Sequence, residues 1–161
     1  MLSLREAEAS DEPFLREMLY HSLYVPDGDP PFDRDVVAQP EIAKYVDAWG
    51  RPGDLGLIAV DSTSHEAVGA IWMRLFNATD RGFGFVHSTI PELAVAVLPG
   101  HRGRGVGTAL LRRLLEVGGE LHDAVSLSVS VDNPARRLYD RFGFKGVEAH
   151  GNSVTMLKRL K

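Results

Sequence analysis

Apolar residues recur along this chain with two different periods. Phe14, Met18, Leu19 and Leu23 recur at i, i+4, i+5 and i+9, which gathers them on one face of a helix. Asp11 before them has the chemistry of an N-cap, and Pro13 suits a first turn. The pattern therefore predicts a helix from there to Tyr24. The polar, proline-rich run Val25–Asp35 reads as a long loop. Pro40 then opens a second helix with Ile42, Tyr45, Val46 and Trp49 on one side, and Gly50–Asp54 breaks it.

The second period is two. Leu2–Glu8, Leu55–Asp61, Ala67–Phe76, Glu92–Leu98 and Ala124–Val131 read as strands. Val106, Leu110, Leu111, Leu114, Leu115 and Val117 return to helical spacing, ending at Gly118 and Gly119. Asn133 and Pro134 have the cap and first-turn chemistry of a further helix, with Ala135, Leu138, Tyr139 and Phe142 as its apolar side. Phe144–Glu148 and Ser153–Leu160 make a closing hairpin. Strands 55–98 form an antiparallel meander, and its last strand begins two strand–helix steps. The order predicts a mixed α/β fold with a central sheet. The chain, 161 residues without an internal repeat, suits a single domain spanning residues 1–161.

Composition changes this picture in a few places. The chain has no cysteine, which excludes disulfides and thiolate chemistry. Its six histidines match no metal-ligand spacing, so no metal is expected. No apolar run approaches the ~18 residues of a membrane span, and the acidic N-terminus lacks a secretory core. A cytoplasmic protein is expected, without membrane or nucleic-acid partners. Charge is uneven: residues 1–60 carry twelve acids and five bases, while the whole chain is −4. Asp27, Asp29, Asp33 and Asp35 crowd the first loop.

The run Val97–Leu115, "VLPGHRGRGVGTALLRRLL", carries the chemistry. A strand leads in and a helix leads out, with Gly100, Gly103, Gly105 and Gly107 between. Free amides at a helix N-terminus, with Arg102 and Arg104 beside them, suit a phosphate. The span Gly100–Gly105 fits a Walker A loop, but Val106 stands where lysine is needed. A dinucleotide fingerprint fails because Thr108 occupies the third glycine's place.

What fits is R-x-x-G-x-G at Arg102, Gly105 and Gly107. This resembles the pyrophosphate loop of the GNAT acetyltransferase superfamily. "DNPARRLYDRFGF", Asp132–Phe144, resembles its second signature. The resemblance covers Leu2–Leu160 and implies a sheet of about seven strands, mostly antiparallel, splayed between the fourth and fifth and flanked by about four helices. It implies acetyl-CoA as donor, with Val95, Ala96 and Val97 pairing through their backbone with the pantetheine. Amides of Gly103, Arg104, Gly105, Val106, Gly107 and Thr108 would hold the pyrophosphate with Arg102. Asn133 would sit near the thiol end, a role open to Asp132 because Tyr139 lies six positions after Asn133 and many relatives show seven.

An alkylammonium near pKa 10.4 is neutral in only about one molecule in a few thousand at pH 7, so amine acetylation needs a base. The departing thiolate is helped by an acid, and each group contributes about 10²–10⁴-fold. By resemblance Tyr139 is the acid and Glu92 the candidate base, with His87 or a water chain as alternatives. The acceptor, a primary amine, would lie against the first two helices and their loop, with Tyr24, Asp27 and Phe32 as candidate contacts. The acidic loop favours a cationic amine. Family members are often homodimers. The absence of cysteine points to direct transfer in a ternary complex. A non-catalytic acyl-CoA-binding domain of the same fold, another acyl group, or transfer to a hydroxyl are the alternatives.

Overall fold

The computed structural model describes residues Met1–Lys161. In chain order the elements are β1 (Leu2–Glu6), α1 (Glu12–Ser22), α2 (Pro40–Ala43), β2 (Leu55–Asp61), β3 (Ala67–Arg74), β4 (Glu92–Val97), α3 (Val106–Gly118), β5 (Ala124–Ser130), α4 (Arg136–Arg141), β6 (Lys145–His150) and β7 (Ser153–Arg159). The strands form one sheet in the order β1-β2-β3-β4-β5-β7-β6. Every neighbouring pair is antiparallel except β4 and β5. The expected mixed, mostly antiparallel sheet with four helices is what the chain forms.

Strand alternation divides the core into two layers. Ile71, Met73, Leu93, Val125 and Leu127 pack against Leu110, Leu111 and Leu114 of α3. On the other face Ile58, Ala70, Trp72 and Ala96 pack against Leu15, Met18 and Leu19 of α1, and against Tyr45, Val46 and Trp49. Central strands β2 and β3 are covered on both faces, so their buried runs are nearly continuous rather than alternating. Each large side chain removed from water here contributes about 1.5–3 kcal/mol.

Helix ends differ from the sequence expectation, and each difference has a cause. Asp11 does not cap α1. Its carboxylate accepts from the Glu8 amide at 2.7 Å and pairs with Arg5, closing a 3₁₀ turn ahead of the helix. The helix expected from Pro40 stops at Ala43, where the amides of Tyr45 and Val46 bond three residues back, to the Ile42 and Ala43 carbonyls, instead of four. Beyond it Arg74 takes the carbonyls of Lys44 and Asp47 at 2.8 and 2.7 Å. Tyr45, Val46 and Trp49 are nevertheless buried as the pattern expects. Helix α4 starts at Arg136 rather than at Pro134, since Asn133 Oδ1 accepts from the Ala135 amide and the first turn is bonded three residues apart.

Arg74 is the main polar group inside the fold, at 1% exposure. Its Nε and Nη2 meet both carboxylate oxygens of Asp54 at 3.0 and 2.8 Å, and its ring partner is Trp49, 5.3 Å from the guanidinium. All of these contacts hold the segment 44–54. Replacing Arg74 by methionine leaves the buried Asp54 carboxylate without its counter-charge, bonded only by the Gly50 and Arg51 amides, and two carbonyls without their donor. The expected loss is about 3–5 kcal/mol, read as a lower midpoint in urea unfolding.

Candidate active site

Strands β4 and β5 share one bridge, Glu92 with Ser126, and then part. The gap between them opens into a cleft of about 1110 Å³. Pairing alternation decides which backbone groups face it. The Leu98 amide donates to the Val68 carbonyl of β3 at 2.8 Å, so Ala96 and Ala94, two and four residues back, also bond to β3. Val97 and Val95 therefore turn their amides and carbonyls toward the gap. Arg102 marks this orientation by donating from Nε to the Val97 carbonyl at 3.1 Å. Ala96 lines the cleft as well, but strand parity gives its amide and carbonyl to β3 and its side chain to the α1 layer, so of the three expected residues Val95 and Val97 are the ones whose backbone faces the gap.

At one end of the cleft stands the N-terminus of α3. Gly105 precedes it with φ +81°, a left-handed conformation that favours glycine. The first helical bond runs from the Ala109 amide to the Gly105 carbonyl, and no side chain caps the helix. The amides of Val106, Gly107 and Thr108 have no helical acceptor. Arg102, Gly103, Gly105, Val106, Gly107 and Thr108 all line the cleft. Arg104 does not: its side chain is exposed and lies off the wall, because the left-handed turns at Gly103 and Gly105 carry that residue outward. At Gly100 a Cβ would meet nothing within 4 Å and the backbone angles are ordinary, as a plain turn residue should show.

Further along the cleft lie Asn133, Leu138 and Tyr139. Tyr139 is buried at 7% exposure, packed edge-on against Phe144, and burial pushes its phenol up to about 12. Its hydroxyl makes no hydrogen bond within the protein. Asp132 is exposed, and its carbonyl accepts from the Tyr24 hydroxyl at 3.1 Å, a strap across the cleft mouth.

Glu92 lines the cleft on the α1 side of the sheet, at 3% exposure. Burial pushes its carboxyl up to about 7, against the lowering pull of the Tyr45 hydroxyl, the Gly84 amide and the Lys44 charge. Oε2 accepts from the Tyr45 hydroxyl, while no donor reaches Oε1 in bonding geometry. His87 is exposed and bonded to Thr89, away from the cleft.

The turn Gly82–Gly84 closes this end. A Cβ on Gly82 would overlap Glu92 Oε1, and one on Gly84 would lie 2.5 Å from the Leu127 carbonyl carbon. The Gly84 carbonyl accepts from Ser126 Oγ at 2.7 Å, so the turn is wedged where β4 and β5 part.

Around the mouth, Tyr20, Tyr24, Phe32, Ile42, Tyr45 and Phe83 make an apolar rim. Phe32 and Phe83 are 46% and 55% exposed, and Phe83 stacks parallel on Tyr45 at 6.3 Å. Of the acidic side chains, only Asp27 and Glu92 line the cleft. Asp29, Asp33 and Asp35 lie away from it, and Asp33 is used to cap the 3₁₀ turn at Arg34. Sequence reasoning misses Tyr45, which it assigns to the core, and the Gly82–Gly84 turn. The alternation Gly-Phe-Gly-Phe at 82–85 is the available signal for that turn.

A mixed sheet splayed at its one parallel pair, with a glycine-rich helix N-terminus in the gap, defines a class of acyl-transfer fold. The chain belongs to the acetyltransferase (GNAT) family, whose profile matches residues 13–144. Solved structures agree in fold. The protein yncA from Salmonella typhimurium, solved with its cofactor acetyl-CoA, has a TM-score of 0.69 at 20% identity, over 100% of this chain and 95% of that one. The ribosomal-protein-S18-alanine N-acetyltransferase from Escherichia coli has a TM-score of 0.67 at 16% identity, over 100% and 95%. Mutant forms of the spermidine/spermine N-acetyltransferase from Vibrio cholerae give 0.63 at 18% identity, over 99% and 95%. No curated protein matches the chain in sequence.

Gly84→Ala must move backbone to make room, so it should lower stability by about 1–3 kcal/mol. Gly100→Ala, with nothing within 4 Å of the added carbon, should leave it unchanged. Paired thermal melts of the two variants check this contrast.

Proposed function

We propose that this protein transfers the acetyl group of acetyl-CoA to a primary amine, directly and within a ternary complex. The observation that carries the reading is one continuous cleft joining three things. These are the free amides of α3, the open backbone of Val95 and Val97, and the pair Tyr139 and Glu92. The amides of Val106, Gly107 and Thr108, with Arg102, suit the pyrophosphate of the donor. Val95 and Val97 suit the amides of its pantetheine, as an added strand would. The bound donor supplies an activated thioester carbon.

Glu92 takes the proton of the acceptor ammonium. Its carboxylate is buried and Oε1 lies beneath Gly82, so the proton travels through water rather than by direct contact. Tyr139 holds the proton destined for the departing sulfur, and burial keeps that phenol protonated at neutral pH. The relatives that act on spermidine/spermine and on a ribosomal-protein alanine support an amine as acceptor. A polycation is favoured less than the acidic loop suggests, because Asp27 alone of its four aspartates lines the cleft. The apolar rim favours an amine attached to an apolar group.

Release of free thiol from acetyl-CoA with a panel of amines tests the reading. Binding of CoA without transfer to any amine would instead mark a binding module. Tyr139→Phe should lower kcat by about 10²-fold or more while CoA still binds. Gly107→Val should do the opposite. A Cβ there would meet Val97 and Leu138 only at 3.9 and 4.0 Å, so the fold has room, yet the added bulk fills the phosphate space. The melting temperature should hold while calorimetric CoA binding disappears.

The rate should fall as pH drops below about 7, since the carboxyl of Glu92 is then protonated and cannot act as a base. Glu92→Gln should remove that acid limb from the kcat/KM profile.

A further inference from the structure

Tyr45 is one of the largest side chains at the acceptor end and has no part in the mechanism above. Its ring is fixed from several sides. It packs on Phe76 at 5.0 Å and under Phe83 at 6.3 Å. Its own carbonyl accepts from Trp72 Nε1 at 3.1 Å, and the nearby carbonyls of Lys44 and Asp47 are held by Arg74. Its hydroxyl accepts from the Phe83 amide at 2.8 Å and donates to Glu92 Oε2. With the amide as donor to it, the phenol proton has one place to go, which is the carboxylate. The absent side chain at Gly82 leaves the space in which the two oxygens meet, since a Cβ there would sit 2.8 Å from the Tyr45 hydroxyl and overlap Glu92 Oε1.

We propose that Tyr45 is a positioning residue for the transfer: its hydroxyl pins Oε2 of Glu92 and leaves Oε1, which no side chain bonds, as the oxygen that takes the acceptor's proton through water. The inference rests on Glu92 acting as the base. A buried carboxylate without this bond would be free to rotate and would hold its own proton more tightly. The bond thus fixes both the direction of the lone pair and the fraction of molecules in which it is available.

The other groups around Glu92 are few. Lys44 flanks Tyr45 and is bonded to Asp80 at 3.1 Å. Arg74 is opposite Glu92 in the β3 register, with its guanidinium committed to Asp54. β5 brings the neutral Ser126, and the 82–84 turn brings backbone amides. α1 brings His21 to the cleft wall, bonded to Glu17 at 2.9 Å.

The experiment follows the Glu92 carboxyl carbon by NMR through a pH titration, in the wild type and in Tyr45→Phe, alongside kcat/KM profiles. Loss of one charge-assisted bond should move the titration upward by about one to two pH units. The acid limb of kcat/KM should move with it, and the deficit should shrink at pH above the shifted limb to the part that comes from the lost direction of the lone pair. A 3-fluorotyrosine at position 45 keeps the shape and makes the phenol a stronger donor, so it should move the titration the other way. In a Glu92→Gln background, Tyr45→Phe should cost nothing further. An unmoved titration, or a loss of rate equal at every pH, overturns the proposal. If Glu92→Gln leaves the acid limb in place, the base assignment fails and the proposal fails with it. If the limb disappears but Tyr45→Phe does not shift it, only the role of Tyr45 fails.

Discussion

The site depends on a place where the sheet stops pairing. β4 and β5 meet at Glu92 and Ser126 and then diverge, although both strands continue for several residues. Pairing them fully would satisfy the backbone of Val95 and Val97 and would abolish the cleft. Each backbone bond so formed would contribute about 0.5–1.5 kcal/mol, so the divergence has to be held open. The wedge is the Gly82–Gly84 turn. Its backbone lies against Leu127 and Ser128, closer than any side chain could tolerate, and Ser126 ties it in place. The same turn roofs Glu92, so the element that opens the cleft also keeps that carboxylate buried.

The wall of the cleft beneath α1 is set by a second constraint, the buried pair of Arg74 and Asp54. This pair alone would be weak evidence of stabilisation, because removing two charges from water is costly. Here it decides conformation. By taking the carbonyls of Lys44 and Asp47, Arg74 holds the turns that follow α2, and within them Tyr45 reaches Glu92. The layer under α1 thus connects the core of β3 to the chemistry of the cleft through few covalent steps.

Much of this is legible in the sequence. The order of elements follows from period-two and helical spacing, and Val106 and Gly118 bound α3 almost to the residue. The glycine loop is legible because its residues are consecutive, and Glu92 because it opens a strand. What is not legible is produced by partners far away in the chain. Tyr45 reads as core from its spacing and is core, yet its hydroxyl meets a residue 47 positions on. The acidic loop reads as one electrostatic surface, but Asp33 is consumed as a cap and only Asp27 reaches the cleft. Arg104 sits in the right stretch and lies off the cleft wall, and strand parity turns the amide and carbonyl of Ala96 to β3 although the residue lines the cleft.

The open side of β4 is also an edge in the sense that matters between molecules. An unpaired strand edge is a template on which another chain can add a strand and begin to aggregate. Arg102 occupies this one, bonding the Val97 carbonyl at 3.1 Å and the His21 carbonyl at 3.3 Å, and Tyr24 reaches over it to Asp132. The guanidinium is a charge laid along the exposed edge, and the tyrosine a bar across its mouth. A small extended ligand can replace these single bonds one at a time, whereas a passing strand must displace them together. The cleft can therefore stay open to its ligand without becoming a seed for self-association.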